Sequence, residues 1–324
     1  RLTDVTGVQT CALPIWLANE KKKEWNMTAF AWWAKRLRHQ LELFDELRID
    51  HFRGFAGYWE VPRERCEIAG EKGETVKTAK FGKWIPGPGL ALFEYVAKEF
   101  GMQVKDMPII AEDLGVITPD VTAVRVALNA PGMGVFQFAP WAEAFYMNRE
   151  KRIVPVQSIQ EIEKEGIRLD TKAGWERMYY CADSSKGEYL PFLSHEFLPE
   201  NAKTSGKSVF YPGTHDNETI IGWFHDLEKT DLVRYLFVRY LEYAMQPKYT
   251  QDCQNEPINW KVIRALSCSG QVSHCIFQMQ DVLGLPNEDE RRGIKIRTNI
   301  PNQKGQWQWK MGGEHVFKIG RAHV

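Results

Sequence analysis

Residues 44–55 read Phe44-Asp45-Glu46-Leu47-Arg48-Ile49-Asp50-His51-Phe52-Arg53-Gly54-Phe55. The run Leu47 to Phe52 is too short for a helix and is followed by a glycine, so it reads as a buried strand with charged residues at its C-terminal end. Upstream, from Thr28 to Phe44, Trp33, Leu37, Leu41 and Phe44 recur at helical spacing, with Lys35, Arg36, Arg38 and Glu42 on other faces. That pattern predicts an amphipathic helix feeding the strand. The unit repeats downstream. Leu90 to Phe100 reads as a helix, and Met107-Pro108-Ile109-Ile110-Ala111 as a strand running into Glu112-Asp113-Leu114-Gly115.

Three further strands are expected at Gly134 to Phe138, Ser208 to Tyr211 and Cys275 to Met279, with helical stretches near 120–128, 217–245 and 258–267. Short buried strands alternating with helices predict an α/β fold with a parallel sheet, either doubly wound or closed into a barrel. The polar residues decide between the two. Arg48, Asp50 and His51, then Glu112 and Asp113, then His215, Asp216 and Asn217 each stand at the C-terminal end of a different strand. A TIM barrel brings those ends to one mouth, whereas an open sheet spreads them apart unless they flank a switch point. Residues 142–207 mix charge and aromatics without a sustained period and read as an insertion or long loop.

Composition narrows the ligand. Forty-two basic residues balance forty-two acidic ones, so no general field draws the chain to nucleic acid or to an anionic membrane. No apolar run approaches the roughly 20 residues of a membrane helix. A neutral ligand fits better, and 12 Trp, 11 Tyr and 17 Phe offer flat faces of the kind sugar rings stack against, or simply additional core and interface aromatics. The six cysteines, at 11, 66, 181, 253, 268 and 275, form no C-x-x-C pair and no metal-finger spacing, which suggests reduced cytosolic thiols.

Carboxylates gathered at one mouth suggest acid and nucleophile chemistry, because like charges at close range divide into a proton donor and an ionised partner. Retaining glycoside cleavage needs that division: one carboxylate attacks the anomeric carbon and a protonated carboxyl roughly 5–5.5 Å away protonates the leaving oxygen. Arg48 and Asp50 are two apart on a strand and share a face, so the guanidinium aims Asp50 as a nucleophile. Glu112 follows an apolar run whose desolvation suits a proton donor. Taken singly, each feature also has a structural reading: an ion pair, a helix cap, or a Gly/Asp/Asn turn.

Jointly, the motifs resemble a family. Arg48 to Phe55 with Tyr58-Trp59-Glu60-Val61-Pro62 is similar to the nucleophile segment of amylomaltases, the 4-α-glucanotransferases. Ile109 to Thr118 resembles their acid/base segment and Gly213 to Thr219 their third-carboxylate segment. Pro131-Gly132-Met133, Gln280 to Leu285, Asn299-Ile300-Pro301 and Trp307-Gln308-Trp309 also match. The resemblance implies Asp50 as nucleophile, Glu112 as acid and then base, and Asp216 as stabiliser of the oxocarbenium-like state, with Arg48, His51 and His215 binding the sugar before the cleaved bond. It implies α-1,4-glucan and maltooligosaccharide substrates, no metal, no cofactor and a cytoplasmic enzyme. Its fold is a (β/α)8 TIM barrel, of which this chain holds strands 4 to 8 with an insertion at 142–188, after strand 6.

The catalytic part is expected to span 16–317. Residues 1–15 and 318–324 have no helical or strand period and resemble translated adapter read-through. The acceptor-side residues of the family would lie before residue 16, so the chain alone is expected to be inactive. Leu193-Ser194-His195-Glu196-Phe197 departs from the family's Pro-His-Asn. Three rivals stand beside the transferase: an α-glucan hydrolase, a metal-dependent barrel hydrolase, and a non-enzymatic glucan-binding scaffold. Arg48 and Arg53 argue against a bound dication.

Overall fold

The computed structural model describes residues 17–19, 24–69, 75–115, 117–138, 144–183, 186–194, 208–227, 231–244, 256–268, 272–301 and 303–311. The expected read-through ends, Cys11, Cys253 and His195 to Phe197 lie outside the described residues. Two compact units divide between Met133 and Gly134.

The first unit opens with a short antiparallel pair, β1 (Leu17–Asn19) and β2 (Glu24–Trp25), followed by α1 (Met27–Leu41). Asn26 caps α1, its Oδ1 accepting from the amides of Thr28 and Ala29 at 3.1 and 3.2 Å, which satisfies two otherwise orphaned donors. The buried stripe is Ala29, Phe30, Ala34 and Leu37. It differs from the expected one: Trp33 and Leu41 are only half-buried, and Phe44 lies beyond the helix and is exposed.

Next come β3 (Leu47–Ile49), the antiparallel pair β4 (Gly57–Glu60) and β7 (Lys83–Pro86), and the small hairpin β5 (Glu67–Ala69) with β6 (Thr75–Lys77). Then follow α2 (Leu90–Phe100), β8 (Ile109–Ala111) and α3 (Pro119–Ala127). The expected strand Leu47 to Phe52 stops at Ile49, and Phe52–Phe55 is instead a 3-10 turn. Packing explains the break. Phe52 and Phe55 turn inward onto Phe93 of α2, with ring centroids 5.8 and 5.0 Å away. All three rings are nearly or fully buried, and each contributes about 1.5–3 kcal/mol of burial. β3 and β8 pair in parallel, with Ile49 beside Ala111.

The chain enters the second unit along β9 (Gly132–Val135), which ends earlier than expected and continues as a 3-10 turn at Phe136–Phe138. The stretch read as a loop is ordered structure: β10 (Ala144–Met147), β11 (Ile153–Pro155), β12 (Met178–Asp183) and β13 (Glu188–Pro191) form an antiparallel sheet in the order β11-β10-β12-β13. Two short helices, α4 (Ile159–Lys164) and α5 (Lys172–Trp175), lie between β11 and β12. Strands of three to six residues are too brief to show a period. The β10-β11 turn relies on Asn148, whose Oδ1 accepts from the amides of Glu150 and Arg152, and on Lys151 at φ 61°, where sequence reading looks for glycine.

β14 (Ser208–Tyr211) follows, then α6 (Ile220–Asp226) and α7 (Asp231–Ala244), where one helical region was expected, and α8 (Ile258–Ser267). β15 (His274–Cys275) is only two residues long, and Met279 begins a helix, α9 (Met279–Val282), rather than ending a strand. A hairpin of β16 (Glu288–Asp289) and β17 (Ile294–Lys295) completes the described elements. β14 lies between β15 and β9, and β14 and β15 run parallel. The unit's core gathers Phe136, Trp175, Met178, Phe210, Phe237, Tyr240 and Val262. Among the described residues the architecture is mixed α/β, and the strand-end residues follow strands of two small sheets, β3-β8 and β15-β14-β9.

Candidate active site

Asp50 is the residue after β3 and Glu112 the residue after β8, so the parallel register that sets Ile49 beside Ala111 brings the two carboxylates to neighbouring strand ends. Backbone bonds fix this step: the Glu112 amide donates to the Ile49 carbonyl at 3.0 Å, and the Phe52 amide to the Glu112 carbonyl at 3.1 Å. Asp50 stays half-exposed and accepts from Arg48 Nη2 at 2.8 Å, as the spacing of two predicts. Arg48 is itself braced, its Nε 3.2 Å from Met133 Sδ.

His51 adopts the left-handed conformation, φ 50° and ψ 48°, which for a non-glycine residue costs about 1–2 kcal/mol. Its amide donates to Glu112 Oε2 at 2.6 Å, while Glu112 Oε1 accepts from the Leu114 amide at 3.2 Å. The strained turn thus ties the residue after Asp50 to the Glu112 carboxylate. Arg53 has a cation–π contact of its own. Its guanidinium lies 4.6 Å over the ring of Trp84.

Asp113 is held by two neighbours of the first unit. Its Oδ1 accepts from the Met133 amide at 2.8 Å, and its Oδ2 is 3.2 Å from Arg125 Nε, in a pair with both side chains only 16% exposed. Arg125 also donates to the Ala130 carbonyl. A Cβ on Gly132 would stand 2.4 Å from Asp113 Oδ2, so glycine is required there by close approach. Sequence reading assigned Asp113 and Arg125 no such role, because a contact between residues twelve apart leaves no periodic trace.

In the second unit, Asp216 sits in the turn after β14. Its Oδ1 accepts from Asn299 Nδ2, its carbonyl accepts from Arg297 Nη2 at 2.6 Å, and His215 Nε2 lies 3.5 Å from Oδ1. The His215 ring packs on Trp307 with centroids 5.0 Å apart. Asn217 Oδ1 closes the turn by accepting from the amide and hydroxyl of Thr214, both at 2.8 Å. Gln278 Nε2 donates to the carbonyls of Gly213 and Thr214. Arg297 and Gln278 are side chains the sequence did not single out. Asn299 stood in a quoted motif, but its grip on Asp216 appears only in the fold.

Burial raises the Glu218 carboxyl above its usual range, against the Asn287 hydrogen bond that lowers it. It pushes Asp281 to about 7 and the Cys275 thiol to about 11. Cys66, Cys181, Cys268 and Cys275 are free thiols. Among the described residues no group of three or more His, Cys, Asp or Glu side chains is placed to hold a metal ion, and no helix is long and apolar enough to cross a membrane.

A mixed α/β chain with carboxylates at the ends of parallel strands defines the class of scaffold, and comparison with known proteins then gives the family. The family model described as 4-alpha-glucanotransferase matches residues 13–159 and 184–314, and this chain belongs to that family. The matched spans include Asp50, Glu112 and Asp216, and the interruption covers α5, β12 and most of α4. The 4-alpha-glucanotransferase of Synechocystis sp. is 34% identical over 284 residues, 87% of this chain and 40% of that protein. The chloroplastic/amyloplastic 4-alpha-glucanotransferase of Solanum tuberosum is 33% identical over 304 residues, 93% of this chain and 37% of that protein. The amylomaltase of Streptococcus agalactiae, solved in complex with acarbose, superposes with a TM-score of 0.59 at 26% identity, covering 92% of this chain and 44% of that one. The chain thus spans well under half the length of these relatives.

Proposed function

We propose that this chain carries the catalytic carboxylates of a 4-α-glucanotransferase that moves segments of α-1,4-glucans and maltooligosaccharides to the 4-hydroxyl of an acceptor glucan or glucose. The observation that carries the reading is the placement of Asp50 and Glu112 on adjoining strand ends, in a chain of this family. Asp50, aimed by Arg48, attacks the anomeric carbon as Glu112 gives a proton to the departing 4-oxygen. The glycosyl ester on Asp50 is retained while the first product leaves. Glu112 then removes the proton from the acceptor 4-hydroxyl, which attacks the anomeric carbon and frees Asp50. Asp216, fastened by Asn299, stabilises the oxocarbenium-like state, and His51, His215 and Arg48 bind the sugar before the cleaved bond. The reaction balances without a metal or cofactor and suits a cytoplasmic enzyme.

Under this reading β3, β8, β9, β14 and β15 are strands 4 to 8 of a (β/α)8 barrel, with 142–188 inserted after strand 6. The parallel pairing of β3 with β8 and of β14 with β15 supports it, as does the likeness to the streptococcal amylomaltase. The test is maltotriose redistribution in the active enzyme. Glucose and longer maltooligosaccharides should appear without net gain of reducing ends, and Asp50→Asn, which cannot form the ester, should abolish turnover. Net release of reducing sugar would favour the hydrolase, and an Asp50→Asn variant keeping about a tenth of the wild-type rate would remove Asp50 from the nucleophile's role.

A further inference from the structure

The segment Gln278 to Asp281 braces both sides of Asp216. Gln278 holds the turn before it through the carbonyls of Gly213 and Thr214, and Gln280 Nε2 donates to the carbonyl of Ile296 and to Thr298 Oγ1, in the segment that carries Arg297 and Asn299. Asp281 makes the third attachment: its Oδ1 accepts from the Ile220 amide at 2.7 Å, at the start of α6, just after the Asp216 turn. Asp281 is fully buried, and its Oδ2 has no hydrogen-bond partner.

A second unmet oxygen belongs to the residue next to it. Asn259 of α8, 2% exposed, donates Nδ2 to the Asp281 carbonyl at 2.8 Å, and its own Oδ1 has no donor. Two buried acceptors without donors are costly, and a full buried charge held by one amide is more so. One proton on Asp281 Oδ2 removes the charge.

We propose that Asp281 is a positioning residue for Asp216, a buried acid that fastens the start of α6 to the Gln278 to Asp281 segment while neutral and loosens it on ionising, because the charge is hydrated only when the segment opens. The role rests on the reading of Asp216 given above. Desolvation pushes the Asp281 carboxyl up to about 7 against the Ile220 hydrogen bond, with no charged group among the causes. Charges on the packed elements are engaged elsewhere: Lys261 and Arg264 of α8 pair with Glu242 and Glu256, and Glu218 is held by Asn287 and Arg297. On α6 itself, Asp226 faces Glu218, and the His225 carbonyl accepts from Arg234.

The test is carboxyl carbon NMR of Asp-labelled protein, with Asp281→Asn for assignment. One resonance, absent from the variant, should titrate near neutral pH. Exchange of the Ile220 amide, taken relative to Val262 in α8, should rise about tenfold between pH 6 and pH 8 in the wild type and stay level in Asp281→Asn, whose amide oxygen still accepts from Ile220. In the active enzyme the same variant should flatten the alkaline fall of kcat and leave KM unchanged. A resonance already that of a carboxylate at pH 5, an equal rise in exchange in the variant, or an unchanged kcat profile would each overturn the proposal. Asp216→Asn separates the two readings: full activity there, with the Asp281 titration intact, removes Asp216 from catalysis and leaves the fastening of α6 standing.

Discussion

Replacing Gly132 by alanine tests whether the ion pair behind Glu112 shapes the first unit. The new Cβ would stand 2.4, 2.8 and 2.9 Å from Oδ2, Oδ1 and Cγ of Asp113. Asp113 cannot swing away freely, because Met133 holds one oxygen and Arg125 the other. Either the backbone shifts, at about 1–3 kcal/mol, or the carboxylate leaves its partners, which forfeits about 1–3 kcal/mol of hydrogen bonding and strands a mostly buried guanidinium. The two routes compete, so a destabilisation of about 2–3 kcal/mol is expected. Gly132 lies outside the left-handed region, so alanine is otherwise tolerated there and restricts the unfolded chain. In an Asp113→Ala background the same substitution should therefore become neutral or stabilise by about 0.4–1 kcal/mol. Urea unfolding of the four proteins, followed by tryptophan fluorescence and compared by midpoint, gives the cycle. An equal cost of Gly132→Ala in both backgrounds would refute the steric account. Met133 braces Arg48, so the wild-type-background variant should also turn over more slowly.

Asp281 gives a pH signature in the opposite sense to most acids. Its folded value, near 7, exceeds the ordinary 3.8, so its contribution is fully present below about pH 4 and is lost as pH rises through 7, a change of about 4 kcal/mol at 1.4 per unit. Urea midpoints from pH 4 to 8 should fall along this limb in the wild type and lose it in Asp281→Asn; identical slopes would contradict the buried acid. Glu112→Gln should slow transfer from maltotriose about a hundredfold or more, and transfer from an α-glucosyl fluoride, which needs no proton, far less in its first step. Equal losses on the two donors would make Glu112 structural.

Local chemistry made much of this protein legible without coordinates. The helices expected over Leu90 to Phe100 and near 258–267 coincide with α2 and α8, because a helix is specified by residues in consecutive turns. The Arg48 to Asp50 spacing correctly put the guanidinium on the carboxylate, since a strand's side chains alternate by covalent geometry. The motifs around Asp50, Glu112 and Asp216 pointed to the family that comparison shows. The antiparallel sheet from β10 to β13 was invisible, because strands so short are selected by partners distant in sequence. The tertiary structure alone decided that Leu47 to Phe52 breaks at Ile49, where Phe52 and Phe55 turn to bury their rings on Phe93. It alone joined Asp113 to Arg125 and Asn299 to Asp216, and it alone buried Asp281, since contacts between residues far apart in the chain are chosen by packing and leave no period in the sequence.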